Sequence, residues 1–305
     1  MGYSVVTTVL QAAVSTLLTD LPTVKDELSI KAADTSNDAW LTRAITQASR
    51  AIAVYTKRKF APEYVQDLFD VEQDPYPYQT PGGFPQLELT RWPVLAVVAV
   101  VQTLAPASSQ RPATTQALVQ DLDFRLEPVT GRLLRLNAFT GVATLWEAMP
   151  VTVTYTAGFG ALIEDTDTVP ASSPYQVTVA EAGAFSCGQS VSYASGAALA
   201  LVAANPDQGQ YSLEAGAYSF NPADAGQPLA FAYATFIIPA DLTEICLRLI
   251  TMRFRARGRD PLLMQRESQQ IGVERFWVGG SPGQTGQFPA DIEGALNEYR
   301  TPTLA

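Results

Sequence analysis

The sequence predicts an α+β protein: a helical-bundle core with a small β-sheet, plus an inserted all-β sandwich-like domain. Three observations predict it. Two segments, 36–60 and 238–258, carry apolar residues at helical spacing. Between them, from Tyr175 to Phe236, short β-rich runs are punctuated by Gly, Asn and Pro about every eight to twelve residues. The charge layout marks the same middle region: from Leu136 to Leu247 there is no Lys or Arg, but there are ten acids, matching the net charge of −10 of the whole chain. The expected organisation is a discontinuous core, 1–170 and 237–305, around an inserted β domain at 171–236.

Along the chain, "LPTVKDELSIKAA" (21–33) reads as a short helix, with Pro22 in its first turn and Val24 and Leu28 as an i, i+4 apolar pair. In "SNDAWLTRAITQASRAIAVYTKRKF", Leu41, Ile45, Ala48, Ile52 and Tyr55 form one stripe. Ser36 or Asn37 is placed to cap it. Lys57, Arg58 and Lys59 fall in its last turn, where cations favour the helix dipole and where a phosphate contact is the other reading. "YVQDLFDV" reads as a strand. Residues 74–86 are too rich in Pro and Gly for a regular element. Leu87 and Leu89 alternate, Pro93 breaks the run, and Val94–Val101 reads as a buried strand. "DFRLEPVTGRLLRLN" predicts two strands around a turn, and "VTVTYTAGFG" (151–160) a strand ending at glycine. Residues 161–174 read as loop.

The second long helix is expected in "IPADLTEICLRLITMRFRARG". Asp241 and Glu244 have capping-box spacing. Leu242, Ile245, Leu249, Met252 and Ala256 make a stripe that Ile250 and Phe254 widen. Gly258 and Pro261 end it. Beyond it, "MQRESQQIGVERFWVGG" reads as amphipathic or extended. Residues 279–288 read as a flexible Gly-rich link, and Ile292, Leu296 and Tyr299 as one face of a short final helix.

Composition narrows the chemistry. There is no histidine, which removes Ser-His-Asp and Cys-His nucleophile activation and His-ligated zinc. Cys187 and Cys246 have no metal or redox spacing. No run reaches the roughly 18 apolar residues of a membrane span, and the start lacks a basic n-region, so a soluble protein of a reducing cytoplasm is expected. We expect no enzyme activity, cofactor or metal. Carboxylates are plentiful, but no Asp/Glu pair is framed by strand ends and a cleft. "EDTDT" (Glu164–Thr168) supplies too few oxygens for calcium by itself and reads as a solvated acidic loop. Tyr175, Phe185, Tyr193, Tyr211, Tyr218, Phe220, Phe231 and Tyr233 sit mostly at alternating strand positions, as core or, alternatively, as a carbohydrate-binding face. Trp40, Trp92, Trp146 and Trp277 read as core or interface anchors.

In order, "VKDELSI", "DAWLTRAITQASRAIAVYTKRKF", "LTRWPVLAVVAVV", "DFRLEPVTGRLLRLN", "VTVTYTAGFG", "IPADLTEICLRLI" and "EYRTP" resemble the head–tail connector (adaptor) proteins of tailed double-stranded DNA bacteriophages. The likeness covers most of 21–160 and 237–301, and "YTAGF" followed by "IP.DL" and an apolar helix is its best marker. It departs from the family between "YTAGFG" and "IPADL", where about 75 residues replace a short loop; insertion at a loop leaves a core intact.

The resemblance implies a structural virion protein: a twelve-subunit ring is the family's form, binding the portal vertex, with a tail or stopper (head-completion) protein below. Genomic DNA would pass through the lumen without sequence-specific binding, no membrane would be involved, and the site of action would be the virion neck, assembled in the host cytoplasm. It also implies a C-terminal arm, 271–305, reaching toward the portal. The alternative is a virion binding module whose β insertion contacts a glycan, fibre or decoration protein.

Five arginines, Arg248, Arg253, Arg255, Arg257 and Arg259, gather at the end of the second long helix. Three readings apply: a solvated end paired with Asp260, Glu267 and Glu274; contact with a neighbouring subunit or the portal; or DNA. A basic channel wall would hold phosphates and hinder passage, while the guanidinium fork suits carboxylates across a protein interface. We therefore expect protein contact. With the arm residues Trp277, Phe288, Ile292, Leu296, Tyr299 and Arg300, these arginines form the candidate interface.

Overall fold

The computed structural model describes residues 5–70, 86–105, 113–146, 149–257, 265–268, 272–275 and 288–300. Among them are seventeen strands and four α-helices. The strands are β1 (Val5–Gln11), β2 (Glu63–Phe69), β3 (Gln86–Glu88), β4 (Val94–Ala105), β5 (Thr114–Leu118), β6 (Phe124–Glu127), β7 (Arg132–Arg135), β8 (Val151–Ala157), β9 (Gly160–Thr168), β10 (Gln176–Thr178), β11 (Phe185–Tyr193), β12 (Ala200–Leu201), β13 (Gln210–Glu214), β14 (Ala217–Phe220), β15 (Pro228–Phe236), β16 (Gln265–Ser268) and β17 (Gly272–Arg275). The helices are α1 (Leu21–Glu27), α2 (Asp38–Thr56), α3 (Ala240–Arg255) and α4 (Ala290–Asn297).

This corrects the expected fold class. The protein is mainly β, and its core is not a helical bundle with a small sheet. The reason is in the strand segments. The Val-rich and alternating runs before residue 160 do not decorate a bundle; they have a core of their own. The five-stranded sheet, ordered β1-β2-β8-β4-β5, and the three-stranded sheet β3-β7-β6 enclose Val65, Phe69, Leu87, Phe124, Leu133, Trp146, Val151, Val153 and Tyr155. Two of the four helices have eight residues or fewer, so helical burial is modest. The chain divides into a β unit, Met1–Ser15 with Ala61–Ile237, and a helical unit, Thr16–Phe60 with Ile238–Ala305.

In the β unit, residues 161–168 are a second correction. They are not loop but most of β9, which pairs with β15 from Gly160 opposite Phe236 to Thr168 opposite Pro228. β11 pairs along the other side of β15, giving the order β11-β15-β9. A four-stranded sheet, β10-β14-β13-β12, faces a shared core with it. Six of the eight aromatics singled out in the sequence (Phe185, Tyr211, Tyr218, Phe220, Phe231 and Tyr233) are buried there, and Tyr175 and Tyr193 pack against them. Phe231 meets Tyr218 edge-on at 4.9 Å between centroids. These rings therefore fill the lobe.

The helical unit is held by apolar stripes. On α2, Leu41, Ile45, Ala48 and Ile52 are buried, and on α3, Leu242, Ile245, Cys246, Leu249 and Ile250. The stripe on α3 fails in its last turn: Met252 and Ala256 are exposed, so that end projects beyond the core. A buried cation ties the first two helices together, Lys25 Nζ lying 2.6 Å from Asp38 and donating to the Ala32 carbonyl at 3.2 Å. Neither expected side-chain cap forms. Asn37 caps α2 with its backbone position only, and α3 begins after Pro239 with Asp241 inside its first turn. Both side chains have other partners, described below. No described helix is long and apolar enough to cross a membrane.

Both cysteines are free and buried. Burial, with the Glu63 charge, pushes the Cys187 thiol up to about 12; burial pushes Cys246 up to about 11 and the Tyr211 phenol up to about 12. A folded pKa above the unfolded one contributes stability below the unfolded value, and that stability is lost as pH rises through the folded value. With no histidine, nothing at its ordinary pKa titrates in a side chain between about pH 5 and 8. The melting temperature should therefore be flat from roughly pH 6 to 8 and fall from about pH 9 to 12. Circular dichroism melts across that range check it; a fall beginning below pH 8 contradicts it.

Candidate interface at the arginine-bearing helix end

The last turn of α3 leaves the core with its arginines outward. Arg253, Arg255 and Arg257 are all exposed. Helix periodicity sets the neighbours they meet on α2. Trp40, Arg43, Ala44 and Gln47 recur at i, i+3, i+4 and i+7, one face of α2. With Arg253 they line a pocket of about 250 Å³.

Arg257 is the ordered member. Its guanidinium lies 4.8 Å from the Trp40 ring centroid and 5.4 Å from that of Phe254, and Nη1 donates to Asn37 Oδ1 at 2.7 Å. The two rings meet edge-on at 5.6 Å. A cation on an aromatic face with one hydrogen bond loses much of its rotamer freedom before any partner arrives. This is also why Asn37 does not cap α2: its carbonyl oxygen is already used. Arg253 reaches Gln47 Oε1 at a long 3.4 Å. Among the described residues, no carboxylate lies within 4.0 Å of Arg43, Arg253, Arg255 or Arg257. The result is a cationic face with one pre-oriented guanidinium and further exposed ones without a carboxylate among the described residues, suited to carboxylates on a partner surface.

The other candidate residues are placed differently. Arg248 is one helical turn and more away from this face and is paired with Asp291 of α4. Phe288, Ile292 and Leu296 are buried within the helical unit. The Phe288 ring meets Tyr55 edge-on at 5.3 Å, and the Tyr55 hydroxyl donates to Asn297 at 3.1 Å. Tyr299 donates to Asp241 Oδ2 at 2.6 Å and stacks edge-on with Phe60 at 5.9 Å; burial and the Asp241 partner push its phenol up. That bond takes the carboxylate the sequence assigned to a capping box. Arg300 lies 5.6 Å from the Tyr55 ring centroid. The arm residues thus close α4 onto α2. Arg259 and Trp277 lie outside the described residues, as do Asp260 and Pro261.

Of the basic triplet, Lys57 terminates α2 in the left-handed conformation, φ 55°. Arg58 is half-buried, and desolvation lowers it to about 10, so it is no solvated phosphate hook. Glu164, Asp165 and Asp167 lie on β9, and among the described residues no three carboxylates or thiols converge as metal ligands.

Sequence reasoning missed Arg43, Gln47 and the role of Trp40. Their i, i+3, i+7 spacing opposite the apolar stripe was available; what was missing was which helix would lie alongside.

No protein-family model matches the chain, and no curated protein matches it. Among solved structures, the chain is similar to a chain of the neck of an empty gene transfer agent particle computed with C6 symmetry, at 13% identity and TM-score 0.41, covering 98% of this chain and 97% of that one. It is similar likewise to a chain of the virion of the native gene transfer agent particle, at 14% identity and TM-score 0.40, covering 97% of each.

Proposed function

We propose that the protein is a structural virion component, a head–tail connector that forms an oligomeric ring between portal and tail or stopper, with DNA passing through the ring. The exposed arginine face of α3 is its protein-docking surface. No catalytic step is assigned to it.

One observation carries the reading. Parts of both sequence-distant blocks that resemble connector proteins, up to Phe60 in the first and from Ile238 in the second, share one compact unit: Leu41, Ile45 and Ile52 from the one and Leu242, Ile245, Leu249 and Leu296 from the other are buried there, while 61–160 of the first block belongs to the β unit. Ser49 Oγ and Cys246 Sγ meet at 3.8 Å across that junction. The added residues enter and leave at one place. Gly160 is paired with Phe236, and Ile237 N–H donates to the Phe159 carbonyl at 3.1 Å. We accordingly place the ends of the inserted lobe at Gly160 and Phe236. An insertion whose ends adjoin adds a module without opening the core.

The test is whether the chain is present in purified particles and where. Electron microscopy of the neck should find a ring of it against the portal; particles lacking the chain overturn the reading. Neutralising Arg253, Arg255 and Arg257 to Gln together should lower incorporation about tenfold or more, since unpaired interface arginines commonly dominate binding. Normal incorporation of that triple variant would remove the arginine face from the proposal.

A further inference from the structure

We infer that a groove on the outer face of the β11-β15-β9 sheet seats the arginine-bearing end of α3 from a second copy of this chain. The inference rests on the oligomeric reading above and names the partner of that same arginine face.

The groove has a volume of about 480 Å³ and is lined by Glu164, Thr166, Ser190, Ser192, Ala230 and Ala232, with Asp165 at its margin. Register explains its shape. Ser192, Ala230 and Thr166 lie opposite one another in one row, and Ser190, Ala232 and Glu164 in the next but one. Side chains alternate across a sheet, so the same strands turn Val191, Leu229, Phe231 and Tyr233 into the core and leave Ser190, Ser192, Ala230, Ala232 and Thr166, with Glu164, outside. The outer face is therefore a shallow trough with an alanine and serine floor and a carboxylate at one end. An extended arginine fits such a surface: its three methylenes cover apolar floor, and its planar fork meets a carboxylate.

Charge complementarity chooses the occupant. The groove lies in the 136–247 block, which contains no Lys or Arg, so no cation of that block neutralises it. None of the ion pairs among the described residues involves Glu164, Asp165 or Asp167. β9 is moreover the edge of its sheet, and Glu164, on the outer face, is exposed, whereas Asp165 and Asp167 share the rows of Phe231 and Leu229 and point to the other face. Arg253, Arg255 and Arg257 are the matching half, exposed and without a described carboxylate. Every copy thus carries one cationic and one anionic surface, on different units. Contacts between unlike surfaces of identical chains are head-to-tail, and they close into a ring when the rotation permits.

The experiment uses the full chain and two charge-reversed variants. One is Arg253→Glu/Arg255→Glu/Arg257→Glu; the other is Glu164→Arg/Thr166→Arg, both of whose positions are exposed on the sheet face. Sedimentation at low salt should show the wild type self-associating, and less so as salt rises. Each variant alone should lose self-association about tenfold or more while keeping the wild-type melting temperature. Mixing the two should restore it, because each then offers what the other lacks. If the Arg variant does not fold, Glu164→Gln should still weaken association several-fold.

A wild type that stays monomeric at low salt, a mixture that fails to associate, or a salt-dependent change of shape at constant mass each overturns the contact. A chain found in particles whose variants fail to complement loses this contact only. Variants that complement while the chain is absent from particles leave the contact standing and sink the virion role.

Discussion

Replacing Gly160 with alanine strongly destabilises the β unit. A Cβ built at this position would lie 1.8 Å from the Thr235 carbonyl oxygen and 3.0 Å from Pro62 Cγ. The first of these is backbone near the C-terminal end of β15, paired with Phe185 on one side and Ala161 on the other, so it gives way little. Gly158 is as constrained: its φ is 146°, and an added Cβ would meet Pro62 backbone atoms at 2.5 Å. Overlap of this kind with fixed backbone belongs to the largest single-residue effects, about 4 kcal/mol or more. For a unit of this size that is a fall of roughly 10 °C in melting temperature. Thermal and urea melts of Gly160→Ala and Gly158→Ala measure it, and a variant melting within about 2 °C of wild type refutes the argument. These two glycines are the corner at which the chain leaves β8 and enters the lobe.

Removing the Asp67 carboxylate is the second large effect. Asp67 is fully buried on β2 and has three donors. The Tyr155 hydroxyl donates to Oδ2 at 2.6 Å, the Thr90 N–H to Oδ2 at 2.8 Å, and the Thr90 hydroxyl to Oδ1 at 2.9 Å. Tyr155 in turn accepts from the Arg91 N–H at 3.1 Å. Burial, and then the Asp67 charge, push the Tyr155 phenol well up, so it remains a donor. Asp67→Ala removes the acceptor of three donors, of which the Thr90 hydroxyl has a further oxygen close by, Thr7 Oγ1 at 3.0 Å, and should cost about 3 kcal/mol. Asp67→Asn should cost only about 1 kcal/mol. Its oxygen can take the Oδ2 position, where two donors converge, and its amide can donate to the Thr90 hydroxyl, which accepts as well as donates. Equal losses for the two variants would show that the network does not act as described. A cycle with Tyr155→Phe should be non-additive, since the pair shares one bond.

Much of the local structure was legible. Alternation at 151–157 and the Val-rich run from Val94 became β8 and β4, and the turn between β6 and β7 followed from "EPVTG". The buried positions of α2 followed from its period. Two things were not. β9 was read as loop because Glu164, Asp165 and Asp167 lack strand propensity; pairing with β15 supplies the backbone hydrogen bonds that override it. β1 was given no assignment, although its pairing with β2 extends the sheet by a strand. Nothing in the sequence of its strand singled out Asp67. Its importance depends on Thr90 and Tyr155, which arrive from distant parts of the sequence.

By itself the sequence determined the periods, the charge segregation and the two long helices. Those are properties of neighbouring residues and of composition, and they survive any packing. Only the tertiary structure decided that the protein is mainly β, that Phe288, Ile292 and Leu296 are core, and that Trp40 orients Arg257. Each of those depends on which surfaces meet. An apolar residue is equally apolar in a core or at an interface, and an arginine equally cationic with or without a carboxylate beside it. Burial and partners are settled between elements, and local pattern carries no record of them.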